Sequence, residues 1–158
     1  MTKLSRQERI QKIRSLPTLV EAAVRDLSDD QLNTPYRSGG WTIRQVVHHL
    51  ADSHLNAFVR MKLILTENRP TLKPYDQDAW AKLPDTTQTP ITSSLSILRG
   101  LHDRWTSLLE AVREADWSRS AMHPEIGEVT LEQLLDTYAH HGENHVGQIT
   151  GLRTQKGW

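Results

Sequence analysis

Tyr138-Ala139-His140-His141-Gly142-Glu143-Asn144-His145-Val146-Gly147-Gln148-Ile149 lies inside the last long periodic stretch of the chain. Around it Leu131, Leu134, Leu135, Tyr138, Ile149 and Leu152 recur at spacings of three, four and seven, the mark of one apolar face of an α-helix. At about 100° per residue, His145 falls in the middle of that face and His141 at its edge one turn earlier, with His140 on the solvent side. Two imidazoles one turn apart and turned toward a core are the helical half of a metal site, because their ring nitrogens can converge on one ion. The plainer alternative is a pair of core histidines bonded to backbone or water. An ion needs a third ligand, which the rest of the chain must supply.

The 158 residues fit a single domain spanning 1–158 with a real core. Lys+Arg and Asp+Glu each number 19, so no basic excess points to nucleic acid. No apolar run approaches the roughly 18 residues of a membrane span, and no basic amphipathic block suggests a membrane surface. Met1 to Arg14 is charged and lacks a signal-peptide core, so the default address is the cytoplasm. Cysteine is absent while histidines number eight, so a transition-metal site must be built from imidazoles and carboxylates.

Four long helical patterns emerge. The first runs from about Ser5 to Leu27, with Ile10, Ile13, Leu16, Val20, Ala23, Val24 and Leu27 on one side; Pro17 must kink it or start a second segment. Ser28 to Gly40 reads as a linker rich in turn formers. Thr42-Ile43-Arg44-Gln45 is a capping box that opens the second helix, which runs to about Thr66. A long proline-marked connection, Arg69 to Pro90, contains a short helical piece near Asp76 to Leu83. The third helix spans Ser93 or Ser94 to about Ala115, with Leu95, Leu98, Leu101, Trp105, Leu108, Leu109 and Val112 inward. Trp117 to Val129, with a turn at Ile126-Gly127-Glu128, suggests a small hairpin. A second capping box, Thr130-Leu131-Glu132-Gln133, launches the fourth helix. The fold class is all-α, a four-helix bundle with long connections.

Candidates for the third ligand lie in the second helix. Its apolar face holds Ile43, Val46, Val47, Leu50, Ala51, Leu55, Phe58, Met61 and Leu65, with His54 at the centre. His49 sits on a polar stripe with Thr42, Gln45, Ser53, Asn56 and Arg60, expected to be a solvated surface unless it lines a wet cavity in the bundle. His48, His49 and His54 all qualify by composition, and periodicity slightly favours His54.

The block Thr34-Pro35-Tyr36-Arg37-Ser38-Gly39-Gly40-Trp41-Thr42-Ile43-Arg44-Gln45-Val46-Val47-His48-His49-Leu50-Ala51-Asp52-Ser53-His54 resembles the YfiT branch of the DinB/YfiT-like family of metal-dependent enzymes. The likeness continues through Arg60-Met61-Lys62-Leu63, Pro74 to Trp80, Leu101-His102-Asp103-Arg104-Trp105, His123-Pro124 and the fourth-helix histidines. It implies a four-helix bundle holding one divalent ion per subunit, zinc or else nickel, on three histidines. The family's second-helix ligand precedes a Leu-Ala-Asp step and is His49 here; its fourth-helix pair is His141 and His145. The branch is described as homodimeric, cytoplasmic and hydrolase-like, and related members transfer small thiols such as bacillithiol onto electrophiles. Two departures stand out: members often carry an extra N-terminal Tyr-Pro-Ile-Gly-type segment, and the motif here, His-Gly-Glu-Asn-His, is less rich in histidine.

Three neutral imidazoles leave a position open on the ion, which suits catalysis rather than a closed structural site. Such an ion makes water acidic enough for hydrolysis of a small-molecule substrate, and a low-molecular-weight thiol cosubstrate could use the same position. No proton-moving group stands out. Asp52, one turn from His49, is the best acid/base candidate, although a solvated helix carboxylate is the simpler reading. Gln148, on the inner edge beside His141, could orient a ligand or substrate. Glu143 points away from the pair. Trp41, Tyr36 and Tyr75 could wall a pocket or pack the bundle ends. Two rival readings are a non-catalytic metal or ligand-binding module and a bundle used only for association.

Overall fold

The computed structural model describes residues 4–158; Met1 to Lys3, the start of the charged opening segment, lie outside the described residues. Four long helices form the bundle: α1 (Arg6–Val24), α3 (Ile43–Thr66), α6 (Thr92–Glu110) and α7 (Leu131–Lys156). Between them lie the short helices α2 (Asp29–Leu32), α4 (Gln77–Trp80) and α5 (Pro84–Thr87), and an antiparallel hairpin of β1 (Ser120–His123) and β2 (Gly127–Thr130).

Local chemistry sets most of the helix starts. Ser5 with Glu8, Ser28 with Gln31, Thr42 with Gln45 and Thr130 with Gln133 each form a reciprocal capping box at the head of α1, α2, α3 and α7. In each, a hydroxyl takes the third amide while the third side chain takes the cap's own amide, so two orphan donors are satisfied together. Helix α6 has no side-chain cap. At the other end of the bundle, α7 stops at Gly157, whose φ of 71° is the left-handed conformation that closes a helix.

Helix α1 packs on α6 and α7, and α3 packs on the same two. The sequential neighbours α1 and α3 therefore lie across one diagonal of the bundle, and α6 and α7 across the other. The crossing from α1 to α3 explains the long Ser28–Gly40 segment, and α2 forms inside what the sequence suggests is a plain linker. The Arg69–Pro90 connection is tied to α3: Gln45 Nε2 donates to Ala81 O at 2.8 Å and Arg44 Nη1 to Thr89 O at 3.0 Å.

Two apolar clusters fill the interior. One gathers Ile10, Ile13, Phe58, Met61, Trp105, Leu135 and Tyr138; the other gathers Leu16, Val20, Val47, Leu50, Leu98 and Ile149. Between them, at corresponding heights on α3, α6 and α7, sits a layer of imidazoles from His54, His102 and His141.

Three sequence expectations need correction. The third helix ends at Glu110 rather than near Ala115, and its tail becomes a 3₁₀ turn at Glu114–Asp116. Leu55, placed on the inner face of α3 by periodicity, is 47% exposed, whereas the helix buries polar His48, His49 and Ser53. Of the two readings of Pro17, a second segment is ruled out, since α1 runs through it unbroken with the ring buried.

Candidate metal centre

Helix α3 delivers His49, and α7 delivers His141 and His145 one turn apart on the side facing α3. One ring nitrogen from each lies within 4.8 Å of the other two. Nε2 of His49 and Nε2 of His141 stand 3.3 Å apart. Two lone pairs facing at that distance repel unless a proton or a cation lies between them. Nitrogens about 2.0–2.1 Å from a tetrahedral ion would sit roughly 3.4 Å apart, so the closest pair already has the separation that ligation needs. An all-imidazole donor set suits zinc, nickel, copper or iron rather than a hard cation.

The electrostatics favour the same use. Burial, followed by the charges of His145 and His141, lowers the His49 pKa to about 3. Burial and then His145 lower that of His141 to about 3. Burial also lowers His145, partly offset by its bond to Gln148. All three rings are therefore neutral at neutral pH, the state in which imidazole ligates. His145 Nδ1 lies 2.8 Å from Oε1 of Gln148, so Nδ1–H donates and the Nε2 lone pair is left for the centre.

The histidines open on a cleft of about 420 Å³. Tyr36, Arg37, Trp41, Asp78 and Gln148 contribute to its walls. The Trp41 ring lies 4.6 Å from that of His49 and stacks within 10° of the His145 plane. This cover explains why the polar stripe of α3, expected to be solvated, is buried at His49, which is only 4% exposed.

The structure keeps His54 and His48 out of the three-nitrogen cluster, against the slight preference of periodicity for His54. Five residues beyond His49, His54 is turned roughly 140° around the helix, and both its nitrogens are occupied. Nδ1 meets His102 Nε2 at 3.0 Å and Nε2 meets His141 Nδ1 at 3.1 Å. Thus His54 touches His141 from behind rather than joining the three-nitrogen cluster. His48 Nε2 donates to Thr89 O at 2.9 Å and its Nδ1 accepts from the Ser94 hydroxyl at 2.7 Å, tying α3 to the start of the uncapped α6.

Of the acid/base candidates, Gln148 lines the cleft and Asp52 does not. Asp52 is half-buried, and burial followed by the charge of Asp85 raises its pKa to about 6. Glu143 is an exposed partner of Lys12 on α1, as its position two residues after His141 requires. Tyr36 and Trp41 wall the cleft, whereas Tyr75 packs on Trp80 with ring centroids 4.4 Å apart. His102 was not singled out by sequence reasoning. Its register with Leu98, Trp105 and Leu109 on the inner face of α6 was the available signal.

Fold and site together define a four-helix bundle protein with a three-histidine candidate metal centre between the adjacent helices α3 and α7. A family model described as the DinB superfamily matches residues 13–149, and the chain belongs to that family. A protein of Oceanobacillus iheyensis named "putative metal-dependent hydrolase" is 47% identical over 158 residues, covering 100% of this chain and 91% of its own. A Bacillus mycoides protein of the same description is 48% identical over 149 residues, covering 94% and 86%. Among solved structures, YfiT from Bacillus subtilis superposes with a TM-score of 0.95 at 43% identity, covering 100% of this chain and 91% of its own. It is described as "a probable metal-dependent hydrolase with an unusual four-helix bundle topology". TT2238, a four-helix bundle protein, shares the fold with a TM-score of 0.64 at 16% identity, covering 93% and 99%. Among the described residues, no helix is long and apolar enough to cross a membrane.

Proposed function

We propose that this protein is a metal-dependent hydrolase of small molecules whose single divalent ion, zinc first and nickel second, is held by His49, His141 and His145. The observation that carries the reading is the convergence of three neutral imidazoles at the floor of an open cleft. A divalent ion bound there supplies Lewis acidity, lowering the pKa of water and polarising a carbonyl or phosphoryl oxygen. The protein's own groups do the rest. Gln148 holds the His145 ring in one tautomer, Trp41 keeps water from one flank, and Tyr36 and Arg37 at the cleft wall offer donors to an acceptor group on the substrate. We assign no proton-transfer role to Asp52, because it lies outside the cleft lining. As part of the same reading, the enzyme works in the cytoplasm as a homodimer.

Metal analysis of the purified protein beside His145→Ala tests the ligand set. Near one ion per chain is expected, falling toward none in the variant, since losing one of three ligands removes much of the binding energy. Equal occupancy in both would count against this ligand set. The reaction is tested by offering the metal-loaded protein ester and amide substrates, then a low-molecular-weight thiol with a chromogenic electrophile. Thiol-dependent conjugation without hydrolysis would replace hydrolysis by thiol transfer. In that second reading the thiolate is brought in by a cosubstrate, because the chain contains no cysteine.

A further inference from the structure

We infer that His54 and His102 are positioning residues: they form a one-way relay, anchored on the Ile13 carbonyl, that locks His141 in the tautomer able to present Nε2 to the metal centre. The relay touches all four long helices. His102 Nδ1 on α6 lies 2.6 Å from Ile13 O on α1. His54 Nδ1 on α3 lies 3.0 Å from His102 Nε2. His141 Nδ1 on α7 lies 3.1 Å from His54 Nε2.

Its direction follows from its end. A carbonyl oxygen only accepts, so His102 Nδ1 must carry the proton. A neutral His102 then has a lone pair on Nε2, and His54 Nδ1 must donate to it. A neutral His54 in turn accepts on Nε2, and His141 Nδ1 must donate. The remaining lone pair of His141 is on Nε2, the atom that faces His49 in the cleft. Reversing any one ring would set two N–H groups, or two lone pairs, face to face in a dry interior. His54 is fully buried and His102 is 1% exposed, so no solvent relieves such a clash. Enclosure away from water disfavours charge on either ring, so both are neutral.

The anchor is a consequence of Pro17. Proline has no N–H, so the carbonyl four residues earlier in the helix loses its backbone partner. That carbonyl belongs to Ile13, and it is free to accept from His102. A helix-breaking residue in the middle of α1 thus supplies the acceptor that orients a side chain on the neighbouring helix α6.

The effect on an ion rests on the metal reading above; the order of the tautomers does not. Long-range proton–nitrogen correlation spectra of metal-free protein labelled at histidine nitrogen read each tautomer directly. His102, His54 and His141 are expected to be Nδ1–H, the minor form of free histidine in water. His141 found as Nε2–H would overturn the proposal. His102→Phe removes the anchor and keeps the ring volume, whereas His102→Gln can donate to Ile13 O with its amide nitrogen and accept from His54 with its oxygen. Zinc affinity, measured by chelator competition, is expected to fall by about 10-fold or more in the Phe variant, with mixed His141 signals, and to return in the Gln variant. A role in packing alone would lower the melting temperature of both variants and leave the His141 tautomer and zinc affinity unchanged, which would refute the inference. Should the Phe variant not fold, the wild-type spectrum still decides the matter. If the wild-type protein takes up no zinc while His141 is Nδ1–H, the metal reading fails and the relay stands.

Discussion

Gly142→Ala is the most direct probe of how closely α7 rests on α1. A Cβ at this position would lie 2.5 and 2.7 Å from the two methyls of Leu16 and 3.1 Å from its Cγ. Ordinary carbon contacts are nearer 3.5–4.0 Å. Leu16 is buried among its neighbours, so either its rotamer or the helix must shift. Overpacking of this kind typically costs about 1–3 kcal/mol, while Gly→Ala in a helix returns about 1 kcal/mol. The net expectation is a loss of up to about 2 kcal/mol, a drop in Tm of about 4–8 °C for a chain of this size. Gly147 and Gly151 on the same helix meet nothing within 4 Å and serve as internal controls. Alanine at either should be neutral or stabilising by up to about 1 kcal/mol. Urea unfolding of the metal-free proteins measures all three, and Leu16→Ala combined with Gly142→Ala should recover part of the loss through the released contact. If Gly142→Ala proves as stable as Gly147→Ala, the close approach of the two helices is wrong.

Two further outcomes follow from the imidazole layer. The unfolded chain protonates His102 near 6.5 but the folded protein waits until about 4, so the unfolded state binds more protons between these values. Stability is therefore full above about 6.5 and falls as the pH drops toward 4, by about 3 kcal/mol from this ring alone. Urea midpoints of the metal-free protein at pH 7.5 and 4.5 should separate more widely than those of His102→Gln, and equal separations would contradict the assignment. Gln148→Leu removes the acceptor that fixes His145 Nδ1–H and should weaken zinc binding by about 10-fold with the metal-free Tm nearly unchanged; an unaltered affinity would show that Gln148 does not orient the ring.

The helices were legible because the signals that encode them are local. Capping boxes at Thr42 and Thr130 and apolar residues every three or four positions require no knowledge of the partner element. The pairing of helices was not legible, since nothing within α1 states that it will sit diagonal to α3. The same limit explains His49 and His54. Periodicity correctly put His54 at the centre of the buried face, yet burial there leads to the layer behind the centre. His49 looked solvent-facing because its cover, Trp41 and the folded-back connection, comes from outside the helix. The YfiT-type block named His49 where periodicity left three candidates open, and it is His49 that shares a cluster with both His141 and His145, while His54 reaches only the far nitrogen of His141. Pro17 was visible as an anomaly in α1, but the use of the carbonyl it frees depends on His102 arriving from α6.

The imidazole layer also bears on how the four helices keep their alignment. On the side of Leu16, Val20, Leu50 and Ile149 the contacts are mostly leucine, isoleucine and valine, which tolerate exchange for one another with little penalty. A helix sliding by one turn, about 5.4 Å, would trade one aliphatic neighbour for the next there. At the height of His54 and His102 it would instead pull donors away from their only acceptors in a region that water does not reach. The layer acts like the notch of a key, admitting one axial setting of the bundle and rejecting the neighbouring ones.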